Sequence, residues 1–259
     1  MLSQDRQRYI VTKLKADASV STVELARALH VSTETIRRDL TLLQDKGALQ
    51  RVYGGAVIAG YRRQEEPPHM VRLATAVEGK RKIGEIAALL ARSDHTVFVD
   101  VGTTGQFIAR ELAVSYRGTV VTNSLLVANE LADSTRIEVI IAPGRLRPGK
   151  WSSSGAVTVQ FLGSMRFDTA FISCGAIDAK AGITVFDFED TEAKPVVCER
   201  STRVLIVADS TKHGVVGRHA VVDWNEVQGL VTDKPPPPGL TTRIEATGGI
   251  VYDSLASVR

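Results

Sequence analysis

From about residue 80 onward, short runs rich in valine and isoleucine alternate with segments of helical period, and this alternation most constrains the fold. A helix-like segment, KRKIGEIAALLA, precedes the strand-like TVFVDV. GQFIARELA then leads to GTVVT, and LLVANELA to IEVIIAP. Further strand-like runs are DTAFISCGA, RVLIVAD, VQGLVTD and IEATGGIVY. The runs are apolar at successive positions, as expected of strands covered on both faces. Strands that alternate with helices predict a mostly parallel α/β sheet. DKPPPPG, residues 233–239, reads as a proline-stiffened surface connection, and no internal repeat is visible.

Residues 1–57 follow a different pattern. In RQRYIVTKLKA, Ile10 and Leu14 lie four apart with Val11 beside them, which predicts one apolar helical face. Ser21 and Glu24 have the spacing of a capping box. Val23, Leu25, Ala26 and Leu29 are then expected to form the buried face. Ser32 is a second N-cap candidate, with Ile36, Leu40 and Leu43 recurring behind it. Gly47 is placed to end that helix. ALQRVYGGAV reads as a short hairpin returning near Gly54 and Gly55. Residues 58–79 carry paired prolines and charges with little periodicity, the pattern of a linker or of a connector that turns helical toward residue 80. The expected organisation is a small helical domain over 1–57, a linker over 58–79 and an α/β domain over 80–259.

Two short helices joined by LHV make a helix-turn-helix. Ile36, Leu40 and Leu43 would pin the second helix to the core. Its other face carries Thr33, Thr35, Arg37 and Arg38 near Ser32, and the N-terminal end of a recognition helix is the part that meets base edges. Arginine bridges guanine O6 and N7 or grips phosphate. Arg51 and Tyr53 on the hairpin would form a wing against backbone or minor groove. An arginine pair on a helix is often only a solvated face. Here the helix-turn-helix spacing, the caps, the hairpin and the charge together argue otherwise: residues 1–63 hold 11 Lys/Arg against 6 Asp/Glu, while the remaining residues hold 21 against 23. A basic piece on a slightly acidic body implies an anionic partner for the first piece.

DVGTTG, at the first strand-to-helix junction, has the makings of an anion cradle. Gly102 and Gly105 allow a tight turn and a close approach, while Thr103 and Thr104 add hydroxyl donors at a helix N-terminus. Asp100 would repel phosphate and suits a sugar hydroxyl better. Thr122, Asn123 and Ser124 form a similar turn at the next junction. SCGAID, with Gly175 and Asp178, and ADSTKHG, with Asp209 and Lys212, also lie just beyond strands. Ligands in open α/β sheets collect at such carboxyl ends, so the four turns are expected to converge on one pocket.

LARALHVSTETIRRDLTLLQDKGALQRVYGGAV resembles the winged helix-turn-helix of the DeoR family of bacterial transcriptional regulators, and the resemblance continues over nearly the whole chain. It implies a C-terminal domain similar to ribose-phosphate isomerases that senses phosphorylated sugars. It adds Ser154, Gly155 and Glu192 to the effector residues above. Two departures stand out. The family places a lysine four residues after the glutamate, where this chain has Val196, with Lys194 and Pro195 before it. APGR replaces the family's Gly-Gly pair near Pro143 and Gly144.

The resulting expectation is a repressor of a carbohydrate operon that binds double-stranded operator DNA as a homodimer or homotetramer and answers to a sugar phosphate. No cofactor is expected. The alternative is a sugar-phosphate isomerase with an accessory DNA-binding domain, drawing its base from Asp178, Asp187, Glu189, Asp190 or Glu192 and using Lys212 to polarise an oxygen. Other chemistries lack their signatures. His30, His69, His95, His213 and His219 show no metal-ligand spacing, and no G-x-S-x-G elbow is present. Cys174 and Cys198 read as buried free thiols. The charged N-terminus has no signal-peptide core and no apolar run is long enough to span a membrane, so a cytoplasmic protein is expected.

Overall fold

The computed structural model describes residues 3–17, 19–46, 48–52, 54–58 and 66–258. The chain divides into two compact units, residues 1–77 and 78–259. The first contains α1 (Ser3–Asp17), β1 (Ser19–Ser21), α2 (Thr22–Ala28), α3 (Thr33–Asp45), β2 (Leu49–Val52), β3 (Gly55–Ile58) and α4 (His69–Ala74). Ile10 and Leu14 of α1, Leu25 and Ala26 of α2, Ile36, Leu40 and Leu43 of α3, and Leu49 and Ala56 of the sheet share one core. Isolated helices this short are marginal in water. Burial, worth roughly 1.5–3 kcal/mol per large aliphatic side chain, therefore holds them.

Three local expectations change. Val23 is 56% exposed, because the stripe that faces the core is Thr22, Leu25, Ala26 and Leu29, and position 23 lies off it. Ser21 is the N-cap of α2 but makes no side-chain cap bond. It belongs to β1 instead, and the Thr22 N–H donates to the Gly54 carbonyl at 2.8 Å. The wing is accordingly a three-stranded antiparallel sheet, β1–β3–β2, with Ser19–Ser21 paired along β3. Gly47 and Tyr53 lie outside the described residues. The later part of the 58–79 connector is helical: Pro68 precedes α4, which packs on β1 and β3 and buries Val71.

The second unit runs through α5 (Val77–Leu90), β4 (Thr96–Val99), α6 (Thr103–Ser115), β5 (Gly118–Thr122), α7 (Leu125–Leu131), β6 (Ile137–Ile141), β7 (Arg145–Arg147), β8 (Ser152–Ser154), α8 (Ala156–Gly163), β9 (Phe167–Ser173), β10 (Ala176–Asp178), β11 (Gly182–Val185), α9 (Asp190–Glu199), β12 (Ser201–Val207), β13 (His219–Val222), β14 (Gly229–Val231), α10 (Pro238–Ala246) and β15 (Ile250–Tyr252). Seven strands form a sheet in the order β15-β14-β12-β9-β4-β5-β6, and each neighbouring pair is parallel. Strand period two sorts the side chains. Val97, Val99, Leu205 and Val207 face α5, α6 and α7, while Phe98, Val204 and Ile206 face α8, α9 and α10. The expected final strand IEATGGIVY is shorter than its apolar content suggests. Leu240 and Ile244, four apart, form the buried stripe of α10, which runs to Ala246 and leaves only Ile250–Tyr252 as strand.

The chain begins the sheet at β4, adds β5 and β6 on one side, and then crosses back to place β9 and its followers on the other. The reversal separates the loops after β4 and β9 and opens a crevice at their carboxyl ends. β7 and β8 form a hairpin, and β10, β11 and β13 a small antiparallel sheet.

Candidate functional site

The first unit presents α3. The Ser32 Oγ accepts from the Thr35 N–H at 3.1 Å, so Ser32 and Thr35 form the cap. Thr33, Arg37 and Arg38 are exposed beside them. Glu34 approaches both arginines at 3.6 Å. These pairs are solvent-exposed, and such pairs contribute about 0–1 kcal/mol, so the guanidinium groups can be diverted to an anion at little cost. From the wing, Arg51 Nη1 donates to Thr41 Oγ1 at 2.8 Å, and the Arg51 N–H donates to Gln44 Oε1 at 2.8 Å. These bonds tie β2 to α3. Inside the unit, Asp39 is buried on α3 and accepts from Arg6, from Ser3 Oγ at 3.3 Å and from Gln7 Nε2 at 3.1 Å.

In the second unit a cleft lies at the switch point. It is lined by Asp100 and Val101 after β4, Asn123 after β5, Arg147 of β7, Ser153 and Ser154 of β8, Gly155, Thr158 and Val159 at α8, and Glu189, Asp190, Glu192 and Lys194 of the α9 segment. Two helix N-termini abut it. Gly102 and Gly155 are the N-caps of α6 and α8, with φ of 112° and 96°, a region glycine reaches without steric cost. Neither N-cap residue caps through a side chain, so the first-turn N–H groups face outward. Gly105 lets α6 start tight against β4, since a Cβ there would collide with the Asp100 carbonyl oxygen.

The charges in the cleft are paired internally. Lys194 is buried and bonded to Asp100 Oδ2. The same oxygen accepts from the Ser173 N–H at 3.0 Å and Ser173 Oγ at 2.9 Å. Burial opposes the Lys194 ammonium, but Asp100 and Asp190 outweigh it and hold its pKa above the usual lysine value. Arg147 is buried and pairs with Asp187 at 2.6 Å, Glu189 at 2.7 Å and Asp190. The Gly155 N–H donates to Glu192 Oε2 at 3.2 Å. Two polar atoms of the cleft, Asn123 Oδ1 and Ser154 Oγ, are buried without a hydrogen-bond partner.

The family model described as the DeoR-like helix-turn-helix domain matches residues 6–60, and that of the DeoR C terminal sensor domain matches residues 75–234. The chain belongs to the DeoR family. A glycerol-3-phosphate regulon repressor of Escherichia coli (strain K12) is 32% identical over 240 residues, covering 92% of this chain and 93% of that one. The HTH-type transcriptional regulator GolR of Listeria innocua is 28% identical over 249 residues, covering 96% and 97%. Among solved structures, ribose 5-phosphate isomerase A from Methanocaldococcus jannaschii superposes with a TM-score of 0.38 at 13% identity, over 51% of this chain and 52% of its own.

Within this DeoR-family sensor domain, Asp100, Asn123, Ser154, Gly155 and Glu192 meet at the cleft. Gly102, Thr103 and Thr104 form the adjoining start of α6. Thr122 and Ser124 shape the second turn: Thr122 Oγ1 donates to the Val99 carbonyl at 2.6 Å, and Ser124 Oγ accepts from the Val127 N–H at 3.3 Å. The other two turns do not line the cleft. Asp178 Oδ1 accepts from the N–H groups of Lys180 and Ala181 and holds the β10–β11 turn. Gly175 follows β9, where Lys212 Nζ donates to the Cys174 carbonyl at 2.6 Å. Asp209 caps the turn before Lys212 and faces Lys80 at 3.8 Å.

Sequence reasoning missed Arg147 and Ser173. Nothing in their local spacing marks them, because each meets its partners across a fold-level distance. It left Lys194 open, and the structure places it in the cleft as a buried cation beside Asp100. Val196 instead packs beside Gly163.

Proposed function

We propose that this DeoR-family regulator is a repressor of a carbohydrate operon and that a phosphorylated sugar sets its operator affinity. The observation that carries this reading is the cleft at the switch point, where two helix N-termini flank buried polar atoms left without partners. Helix N-termini favour anions. Asn123 Oδ1 and Ser154 Oγ suit a polyol, as does Asp100 through an oxygen not held by Lys194. Thr103, Thr104 and the Gly102 turn, together with the N-terminus of α8, would take the phosphoryl oxygens. Thr33, Arg37 and Arg38 would meet bases and phosphates of double-stranded DNA, with Arg51 on the wing and Ser32 and Thr35 holding the helix end. A homodimer or homotetramer would offer two such helices to paired half-sites one helical turn apart. The named role of the E. coli relative, a repressor of a glycerol-3-phosphate regulon, supports an effector of this chemical class. Among the described residues no helix is long and apolar enough to cross a membrane, in keeping with work on DNA in the cytoplasm.

Sensing is favoured over isomerisation because four of the five carboxylates a base would come from are tied up in ion pairs or a turn. Asp187, Glu189 and Asp190 hold Arg147, Asp178 holds a turn, and the fifth, Glu192, accepts from the Gly155 N–H. The reading needs no cofactor. The test is operator-duplex anisotropy titrated against a panel of phosphorylated sugars, run beside an isomerisation assay. One compound is expected to lower operator affinity at fixed salt. Turnover well above background with no effect on DNA binding would overturn the reading.

A further inference from the structure

The two buried cations of the cleft and the N-terminus of α8 are each met by a carboxylate of this chain, whereas the N-terminus of α6 has no acidic residue in its first turn. Lys194 has Asp100, Arg147 has Asp187, Glu189 and Asp190, and the N-terminus of α8 has Glu192. A phosphoryl oxygen that reaches Lys194, Arg147 or the α8 helix end must therefore displace a carboxylate. Asp100 is ill suited to move: it is buried at the end of a central strand, and one oxygen accepts from Ser173 twice and from Lys194. The three carboxylates on Arg147 hold one another in place through a shared guanidinium. Glu192 differs. It is only half-buried, sits in the first turn of α9, and has one hydrogen bond, to the Gly155 N–H at 3.2 Å. A Cβ built on Gly155 would meet nothing within 4 Å, so there is open space over this helix end. The neighbouring Ser154 Oγ is 93% buried by residue, lines the same cleft and has no partner.

We propose that the Glu192 carboxylate is an internal competitor of the effector's phosphate, occupying the N-terminus of α8 where a phosphoryl oxygen would bind and leaving when the effector arrives. This rests on the cleft being the effector site, as proposed above, and assigns Glu192 the opposite role to a ligand contact. The helix end carries about half a positive charge. It can serve one anion at a time, so the affinity measured for phosphate is the intrinsic affinity reduced by the fraction of molecules in which Glu192 holds the site. The segment from Asp187 to Glu192 would thereby set the effector concentration at which the sensor responds.

The experiment titrates inorganic phosphate into the full chain at constant ionic strength, by calorimetry, for wild type, Glu192→Gln and Glu192→Ala. Both variants are expected to bind phosphate about tenfold more tightly than wild type. Sodium formate should weaken phosphate binding to Glu192→Ala, by returning a carboxylate to the helix end, while leaving wild type unchanged. Equal or weaker binding by the variants, with wild type still binding, overturns the competitor role and leaves the effector site standing. Binding by none of the three, confirmed folded by circular dichroism, overturns both. If Glu192→Gln fails to fold, Glu192→Ala with and without formate decides.

Discussion

Lys194 delivers a buried ammonium to Asp100. A charge pair so enclosed is held by mutual need: removing one partner leaves an uncompensated buried charge, at a cost of about 3–5 kcal/mol. Lys194→Met should lower the urea midpoint of unfolding accordingly, and Asp100→Asn combined with it should recover much of the loss. Asp209 gives a pH test. Burial disfavours its ionised form, but Lys212, Lys80 and the Thr211 donors outweigh burial and hold its carboxyl below the usual range. A lowered folded pKa adds stability above the unfolded carboxylate value of about 3.9, and that stability is lost as pH falls through the folded pKa. Asp209→Asn should therefore be less stable than wild type near neutrality and lose less stability between about pH 5 and pH 2, as thermal unfolding would measure. On α3, Arg37→Ala and Arg38→Ala should each weaken operator binding. A base contact would lose about 1–3 kcal/mol and relax specificity, whereas a phosphate contact would lower the salt slope by about one. Unchanged anisotropy titrations for both variants would remove α3 from the interface.

At the scale of elements, the legible features were those whose physics is local. The stripe Ile36, Leu40 and Leu43, the Ser32 cap and the strand GTVVT all come from contacts within one segment or from its simple period. Features that need a partner were not legible. Ser21 has the spacing of a capping box, yet strand pairing to β3 claims it. Val23 is apolar, yet the helix stripe passes it by. Asp39 looks like a solvated charge in the middle of RRDL, while in the fold it staples α1 to α3 through Arg6, Ser3 and Gln7. Asp39→Asn should destabilise the first unit by about 2 kcal/mol, since a charged hydrogen bond to a buried partner is lost. Circular dichroism of chemical unfolding would measure it. Gly105→Ala should disturb the β4–α6 turn, because the added methyl meets the Asp100 carbonyl oxygen. Its expected signature is a weakened effector response with operator binding retained.

For the molecule as a whole, DNA reading and effector binding are linked only if the effector prefers one state. Linkage is reciprocal: a sugar phosphate that lowers operator affinity by some factor must itself bind more weakly, by the same factor, to the operator complex. Calorimetric titration of the effector with and without operator duplex measures that factor. Equal affinities would show that the two functions are independent. The sequence by itself determined the class of each unit, the apolar stripe and cap of α3 and the two Gly/Thr and Asn/Ser turns, because apolar period, caps and glycine placement are local constraints. It also carried the family resemblance. Only the tertiary structure decided which turns share a cleft. Strand order is set by non-local pairing, and the crossover from β6 back to β9 is what puts Asp100 beside Ser173 and brings Arg147, Glu192 and Lys194 to the same crevice, while Asp178 and Lys212 are spent on a turn and a carbonyl.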